Sequence, residues 1–339
     1  MAKITIKDIA KECGVSITAV SFVLNGKFDS VSKETAERIL NVCKKHSYQP
    51  NYFASALKSK ATKFIGILIP DLENGYYARI LKSLENILDE KGYSLLIESS
   101  GYDFDKFLSN ISQLVSKSPE YCIVIPPSSF QESNPNELAK LKDIINVPFV
   151  IFDRRIDYCE RPLIVNDDEK GGYIATEYLI NKGHKKIYCI TGPRGISSSE
   201  DRYKGYCEAL KNNGLKLDKN LVFEGNYQYE NALEIARKII KKGEFCSVFA
   251  FNDLMAYAFY KTAHELGMEI GKDISIVGFD DNSFSNLITP GLTTVRQNID
   301  KLCEAVVDQL FLKEECLKTI TIEPTLIERG SVNDTTIKK

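Results

Sequence analysis

Residues Ile4-Thr-Ile-Lys-Asp-Ile-Ala-Lys-Glu-Cys-Gly14-Val-Ser16-Ile-Thr-Ala-Val-Ser-Phe-Val-Leu-Asn25-Gly26 read as two short helices joined by a tight turn. Thr5 can cap the first helix, and Asp8 three residues on completes a capping box. Ile6, Ile9 and Ala10 give that helix an apolar face. Gly14 stops it, because glycine tolerates the left-handed backbone that a sharp turn requires. Ser16 can cap a second helix running to about Leu24, with Val20, Val23 and Leu24 inward and Asn25-Gly26 as its stop. Such a pair is a helix-turn-helix, whose second helix fits the DNA major groove; a surface helical hairpin has the same local pattern.

Outward from this pair, Ser32 can cap a third helix from Lys33 to about His46, with Ala36, Ile39, Leu40 and Val42-Cys43 inward. Gln49-Pro50 closes this small all-α head, since proline discourages helix at the residue before it. Asn51-Tyr-Phe-Ala-Ser-Ala-Leu-Lys-Ser-Lys60 then forms either a solvated linker or a short helix that orders on DNA. In the second case Leu57 is an apolar wedge for the minor groove. Residues 1–62 hold ten Lys/Arg against five Asp/Glu, a charge of +5, which leaves −7 on the remainder of a chain whose total is −2. A basic head on an acidic body suits a protein in which only the head meets a polyanion.

From Lys63 the texture becomes alternating apolar strands and amphipathic helices. Strand starts fall at Phe64, Ser94, Tyr121 and Phe149, and again at Ile187, Leu221, Ser247 and Ile274. A helix over Tyr76–Lys91 places Ile80, Leu81, Leu84, Ile87 and Leu88 on one face. Near-continuous apolarity, as in Phe64-Ile-Gly-Ile-Leu-Ile69, is the mark of parallel strands buried on both faces. Two such sets predict two parallel sheets covered by helices, facing each other across a cleft, with ligands beyond the carboxyl ends of the strands.

Those strand ends carry Asp71-Leu-Glu-Asn-Gly-Tyr76-Tyr77, Asp153-Arg154, Ser197-Ser-Ser-Glu-Asp-Arg202, Asn226-Tyr227, Asn252-Asp253 and Gly278-Phe-Asp280-Asp281. Acids and amides exchange hydrogen bonds with hydroxyls, arginine donates a planar fork, and tyrosine faces stack on apolar ring surfaces. Singly, each residue is as well explained as a turn former or helix cap. Their recurrence at successive strand ends favours a pocket for a sugar or another small polar ring, a purine included.

The remaining composition narrows the class. The 43% hydrophobic and 27% charged content is that of a globular protein. Nine well-separated cysteines, with no C-x-x-C pair, predict reduced thiols rather than a disulfide framework or zinc site. Neither a signal peptide nor a membrane-spanning run is present, which predicts a cytoplasmic protein. Phosphate-loop, dinucleotide, metalloprotease and serine-hydrolase motifs are missing, and three scattered histidines support no metal cluster. Asp280-Asp281 is discounted as an acid/base pair because adjacent residues at a strand end point to opposite sides. The chain is expected not to be an enzyme and to need no cofactor or metal; a two-lobed enzyme, or a sensor whose head binds protein, are the alternatives.

Over nearly its whole length the chain resembles the LacI/GalR-type bacterial transcription regulators. Thr5-Ile-Lys-Asp-Ile-Ala, Gly14-Val-Ser, Ala19-Val-Ser, Val23-Leu-Asn-Gly, Val31-Ser-Lys-Glu-Thr, Tyr48-Gln-Pro-Asn and Ala54-Ser-Ala-Leu-Lys carry the match in the first part. Ile65-Gly-Ile-Leu-Ile-Pro-Asp, Gly171-Gly, Asn252-Asp, Val277-Gly-Phe-Asp-Asp, Leu292-Thr-Thr-Val and Leu326-Ile-Glu-Arg carry it in the body. The resemblance implies a homodimer that reads a pseudo-palindromic operator and whose operator affinity changes when a small effector, expected to be a carbohydrate, binds in a body like that of periplasmic binding proteins. It implies a helix-turn-helix head over 1–48, a hinge over 49–62, a first lobe of 63–162 with 293–322, and a second of 163–292 with 323–339. Thr5, Ser16, Ile17, Thr18, Ser21, Phe22 and Asn25 then face DNA, as do Ala54, Leu57 and Lys58 of the hinge. Tyr76, Tyr77, Asp153, Ser198, Arg202, Tyr227, Asn252 and Asp280 match effector-contacting positions. One departure matters: the family usually has arginine or histidine where this chain has Phe22, so its operator sequence does not transfer.

Overall fold

The computed structural model describes residues 4–48, 62–127, 141, 143–155, 163–241, 244–313, 316 and 318–336. The chain forms two compact units, Met1–Thr62 and Lys63–Lys339.

In the first unit, α1 (Ile6–Cys13), α2 (Ile17–Leu24) and α3 (Lys33–Lys45) follow the signals in the sequence. The Thr5 side chain accepts from the Asp8 N–H while the Asp8 carboxylate accepts from the Thr5 N–H, a complete capping box. Gly14 ends α1 at φ 65, and the Ser16 and Ser32 hydroxyls cap the next two helices. Ile9, Ala10, Cys13, Val20, Val23, Ala36, Ile39 and Cys43 form the core. Leu40, expected inward, is 44% exposed. The buried seam of α3 is Ala36, Ile39 and Cys43, and the residue after Ile39 is turned about 100° away from it. The hinge residues Ala54, Leu57 and Lys58 lie outside the described residues.

The second unit contains two six-stranded sheets. The first consists of β1 (Phe64–Ile69), β2 (Ser94–Ser99), β3 (Tyr121–Val124), β4 (Phe149–Phe152), β5 (Leu163–Asn166) and β11 (Ile320–Ile322) in the order β11-β5-β4-β3-β1-β2, all parallel. Its two faces have separate cores. Ile65, Ile67 and Ile69 of β1 pack with α4 (Gly75–Glu90) and α10 (Ile299–Leu310), whereas Leu68 packs with α5 (Phe104–Ser116) on the other side. This two-sided burial is why these strands read as unbroken apolar runs.

The second sheet is β12-β10-β9-β8-β6-β7, built from β6 (Ile187–Thr191), β7 (Val222–Glu224), β8 (Cys246–Ala250), β9 (Ile274–Phe279), β10 (Thr293–Arg296) and β12 (Thr325–Ile327). Only β12 runs antiparallel, against β10. Helices α6 (Asp168–Asn181), α7 (Ser197–Asn212), α8 (Tyr229–Ile239) and α9 (Asp253–Leu266) pack on it, α6 against α7 and α8 against α9.

Two strands fall on the other side of the expected lobe boundaries. Leu163–Asn166, expected to open the second lobe, is β5 of the first sheet, and Thr293–Arg296, expected to return to the first lobe, is β10 of the second. Each extends the sheet of the strand before it, ahead of the crossing, and fills the backbone hydrogen bonds that β4 and β9 would otherwise leave open. The crossings therefore come after Asn166, after Arg296 and between Ile322 and Thr325. Among the described residues no helix is long and apolar enough to cross a membrane, and the eight described cysteines are free thiols.

Candidate functional site

In the head, α2 presents Ile17, Thr18, Ser21, Phe22 and Asn25 on one face, the i, i+1, i+4, i+5 and i+8 positions of a helix whose other face buries Val20 and Val23. Ile17, Thr18 and Asn25 are exposed, and Ser21 and Phe22 are half-buried. Two of the residues expected at DNA hold the helices themselves: Thr5 bonds Asp8, and the Ser16 hydroxyl accepts from the Ala19 N–H at 3.1 Å.

In the body, the eight residues expected to meet an effector all line one cleft between the lobes, together with Asn74, Arg154 and Gln297. Seven of the eight follow the carboxyl end of a strand directly: Tyr76 and Tyr77 after β1, Asp153 after β4, Ser198 after β6, Tyr227 after β7, Asn252 after β8 and Asp280 after β9; Arg202 lies one turn further along α7. Asp153, Tyr227 and Asp280 sit at φ 68, 60 and 103, a left-handed backbone that non-glycine residues adopt at a cost. Such strain concentrates where side-chain direction matters.

A buried hydrogen-bond network joins them. The Tyr76 hydroxyl donates to Asp153 Oδ1 at 2.6 Å and the Tyr77 hydroxyl to Asp153 Oδ2 at 3.2 Å. Arg154 Nη2 donates to the Tyr77 oxygen at 2.9 Å, and Asn166 Nδ2 to the Tyr76 oxygen at 3.3 Å. Asn166 also donates to Gln297, whose own Nε2 donates to Asp280 Oδ1 at 2.6 Å. The chain of contacts thus runs from Asp153 in one lobe to Asp280 in the other. Two buried atoms in it make no hydrogen bond among the described residues, the donor Arg154 Nε, which lies 3.8 Å from Asp153 Oδ2, and the acceptor Asn166 Oδ1. The space left among these side chains is about 20 Å³, room for one water. A ligand enters by moving the lobes or the side chains.

Arg202 anchors the second-lobe wall. Its Nε donates to Asp168 Oδ1 at 2.8 Å, its Nη1 bonds the Phe251 oxygen, and its guanidinium lies 3.6 Å from the Phe279 ring centre. Helices α6 and α7 come close enough for this because of two glycines. A Cβ on Gly172 would lie 2.1 Å from the Arg202 oxygen, and one on Gly205 would lie 2.0 Å from the Glu169 oxygen. Burial raises Asp168 to about 7 against the pull of Arg202, and raises Asp280 to about 7 for the same reason. Asp281 turns away from the cleft to bond Arg296 and Arg329, each at 2.6 Å.

Of the three further wall residues, Asn74 and Arg154 lie within strand-end stretches that the sequence marks, although neither was assigned as an effector contact; Asn74 also caps α4. Gln297 follows a four-residue strand that the sequence does not mark. Among the described residues no group of His, Cys, Asp or Glu is placed to hold a metal ion.

Residues 5–51 match the family model described as bacterial regulatory proteins, lacI family, and residues 176–332 match the periplasmic binding protein-like domain. The chain is 34% identical over 338 residues to the HTH-type transcriptional repressor PurR of Pectobacterium carotovorum subsp. carotovorum (strain PC1), with 97% of each chain covered. It is 33% identical over 302 residues to the HTH-type transcriptional regulator DegA of Bacillus subtilis (strain 168), with 88% of each covered. In fold it is similar to the Lac repressor dimer bound to operator and the anti-inducer ONPF, with a TM-score of 0.82 at 23% identity, covering 97% of this chain and 99% of that one. It is also similar to the transcriptional regulator CelR–cellobiose complex, with a TM-score of 0.68 at 24% identity and the same coverage.

Proposed function

The chain belongs to the LacI family of bacterial regulatory proteins, DNA-binding transcriptional repressors under effector control, and from that premise we propose that its effector is a sugar or sugar derivative bound between the two lobes of the body. The observation that carries this reading is one cleft lined by Asp153, Arg154, Asn252, Asp280 and three tyrosines, in a buried network where the donor Arg154 Nε still makes no hydrogen bond. A hydroxyl both donates and accepts, so a ring bearing several of them can bond Arg154 and compete for Asp153, Asp280 and Asn252. Tyr76, Tyr77 and Tyr227 supply flat apolar surface for the ring faces. One fold neighbour, CelR, is known as a cellobiose complex.

The head reads a pseudo-palindromic operator through α2, with the hinge segment around Leu57 as a second contact, and the protein acts as a homodimer. The dimer reading is supported by an apolar patch on the body. Leu254, Phe284 and Ile288 line one groove, and Leu287 beside them is 72% exposed. Exposed apolar surface of this kind marks protein–protein contact. Sedimentation at micromolar concentration tests it: twice the chain mass is expected, and a monomer contradicts it.

A thermal-shift panel of mono- and disaccharides against nucleobases tests the effector class. A ligand present at 100 times its Kd adds about 2.7 kcal/mol to stability. A rise in Tm with a sugar is expected; a rise with nucleobases alone contradicts the proposal.

A further inference from the structure

What α2 can read in DNA follows from its side chains, and the inference below rests on the DNA-binding role given to that helix. The segment Ile17–Leu24 contains no charged residue. Its one neighbouring amide, Asn25, is engaged: Nδ2 donates to the Ser21 main-chain oxygen at 2.7 Å and to Ser21 Oγ at 3.3 Å. Ser16 is occupied as a cap. The face left for a base edge consists of Ile17, 41% exposed, the methyl and hydroxyl of Thr18, and the half-exposed ring of Phe22. Phe22 is not among the described side chains packed on the head's core.

Guanine is read in the major groove by the fork of arginine or by lysine, and adenine by asparagine or glutamine; a serine or threonine hydroxyl bonds either base and so selects neither. No arginine, lysine, asparagine or glutamine is free on α2, and the Thr18 hydroxyl does not discriminate. The one major-groove feature that an aliphatic or aromatic side chain recognises is the C5 methyl of thymine.

We propose that α2 reads its operator half-site through thymine methyl groups contacted by Ile17, Thr18 and Phe22, with no hydrogen bond to guanine O6 or N7. The flanking lysines Lys11 and Lys27, both exposed, hold the head on phosphates without selecting a base. The half-site is accordingly rich in A·T pairs where the helix lies.

The test begins by selecting binding sites for the full-length protein from randomised duplex DNA. The selected site is then remade with deoxyuridine replacing each thymine in turn, and separately with 7-deazaguanine replacing each guanine. Loss of one contacted methyl is expected to weaken binding about fourfold, the effect of burying one methyl-sized apolar group. At least one thymine in each half-site should show this, and 7-deazaguanine should leave affinity unchanged. In Ile17→Ala or Phe22→Ala the penalty at the thymine that side chain touches should vanish. Phe22→Arg should create a guanine preference, with sensitivity to 7-deazaguanine, at one position. A selected site that is indifferent to deoxyuridine, or weakened by 7-deazaguanine, overturns the proposal and leaves DNA binding standing. A selection that enriches no sequence overturns the DNA-binding role itself.

Discussion

Arg79, in the first lobe, donates from Nη1 to the main-chain oxygen of Asp281 in the second at 2.7 Å, and to that of Asp280 at 3.1 Å. One guanidinium thus ties α4 to the very turn that delivers Asp280 to the cleft. Arg155 makes a second tie, its N–H donating to Ser197 Oγ at 2.9 Å and its side chain pairing with Asp201 at 2.9 Å. Closure of the lobes is therefore held by contacts outside the ligand space as well as within it.

Arg79→Ala removes one such tie without touching the cleft wall. If a sugar binds the closed form, the closed population falls and apparent affinity falls with it, by about 1 kcal/mol or roughly fivefold. Calorimetric titration with the sugar found by thermal shift measures this. Unchanged affinity would show that Arg79 does not hold the lobes together.

Arg202→Ala and Asp280→Ala should each abolish the response of operator binding to the effector while leaving operator binding itself. The two differ in stability. Arg202→Ala leaves Asp168 buried beside no cation, a loss of about 3–5 kcal/mol, visible as a lower urea midpoint. An unaltered ligand titration in Asp280→Ala would refute the place given to that residue.

Much of this site was legible in the sequence, because polar residues at the ends of apolar runs have few reasons to recur in register. Tyr76, Asp153, Arg202 and Asp280 were marked in this way, and the head's three N-caps were readable from Thr5, Ser16 and Ser32. What escaped has a common cause. The strands β5, β10, β11 and β12 form the last two positions at one end of each sheet, at the crossings between lobes and outside the regular strand–helix spacing, and they owe their existence to an adjoining strand edge. With β10 unseen, Gln297 had no strand end to belong to. With β5 unseen, neither had Asn166, which bonds Tyr76 and Gln297.

Asp253 allows a prediction in pH. It is buried at the start of α9 and accepts from the Asn282 N–H at 2.6 Å, Ser285 Oγ at 2.5 Å and Thr294 Oγ1 at 2.5 Å. Burial outweighs these donors and raises its carboxyl to about 7. A carboxyl raised above its unfolded value of about 4 stabilises the fold fully below that value, and the contribution is lost as pH rises through the folded value. Asp168 and Asp280 act in the same direction, whereas Asp281, lowered by Arg329 and Arg296 against burial, acts in the opposite one. Denaturation at pH 5 and pH 8 should therefore show wild type losing more stability than Asp253→Asn across that interval, since the amide does not titrate. Equal losses in the two proteins would contradict the assignment.

Leu57→Ala should weaken specific operator binding while leaving effector affinity nearly intact, as expected of a wedge that enters the minor groove and has no part in the cleft. Gel shift and calorimetry on one preparation separate the two effects. Equal loss of both would place Leu57 in the fold rather than at DNA.

The central claim is that a ligand in the cleft controls what the head does on DNA. Its most direct measurement is a gel-shift titration of the full chain on DNA from upstream of its own gene, at fixed salt, with and without the sugar that stabilises the body. The account predicts a sequence-specific complex whose apparent Kd changes when the sugar is added. A salt-dependent complex alone would report only phosphate contacts. No sequence-specific complex at any salt, with or without sugar, would contradict it.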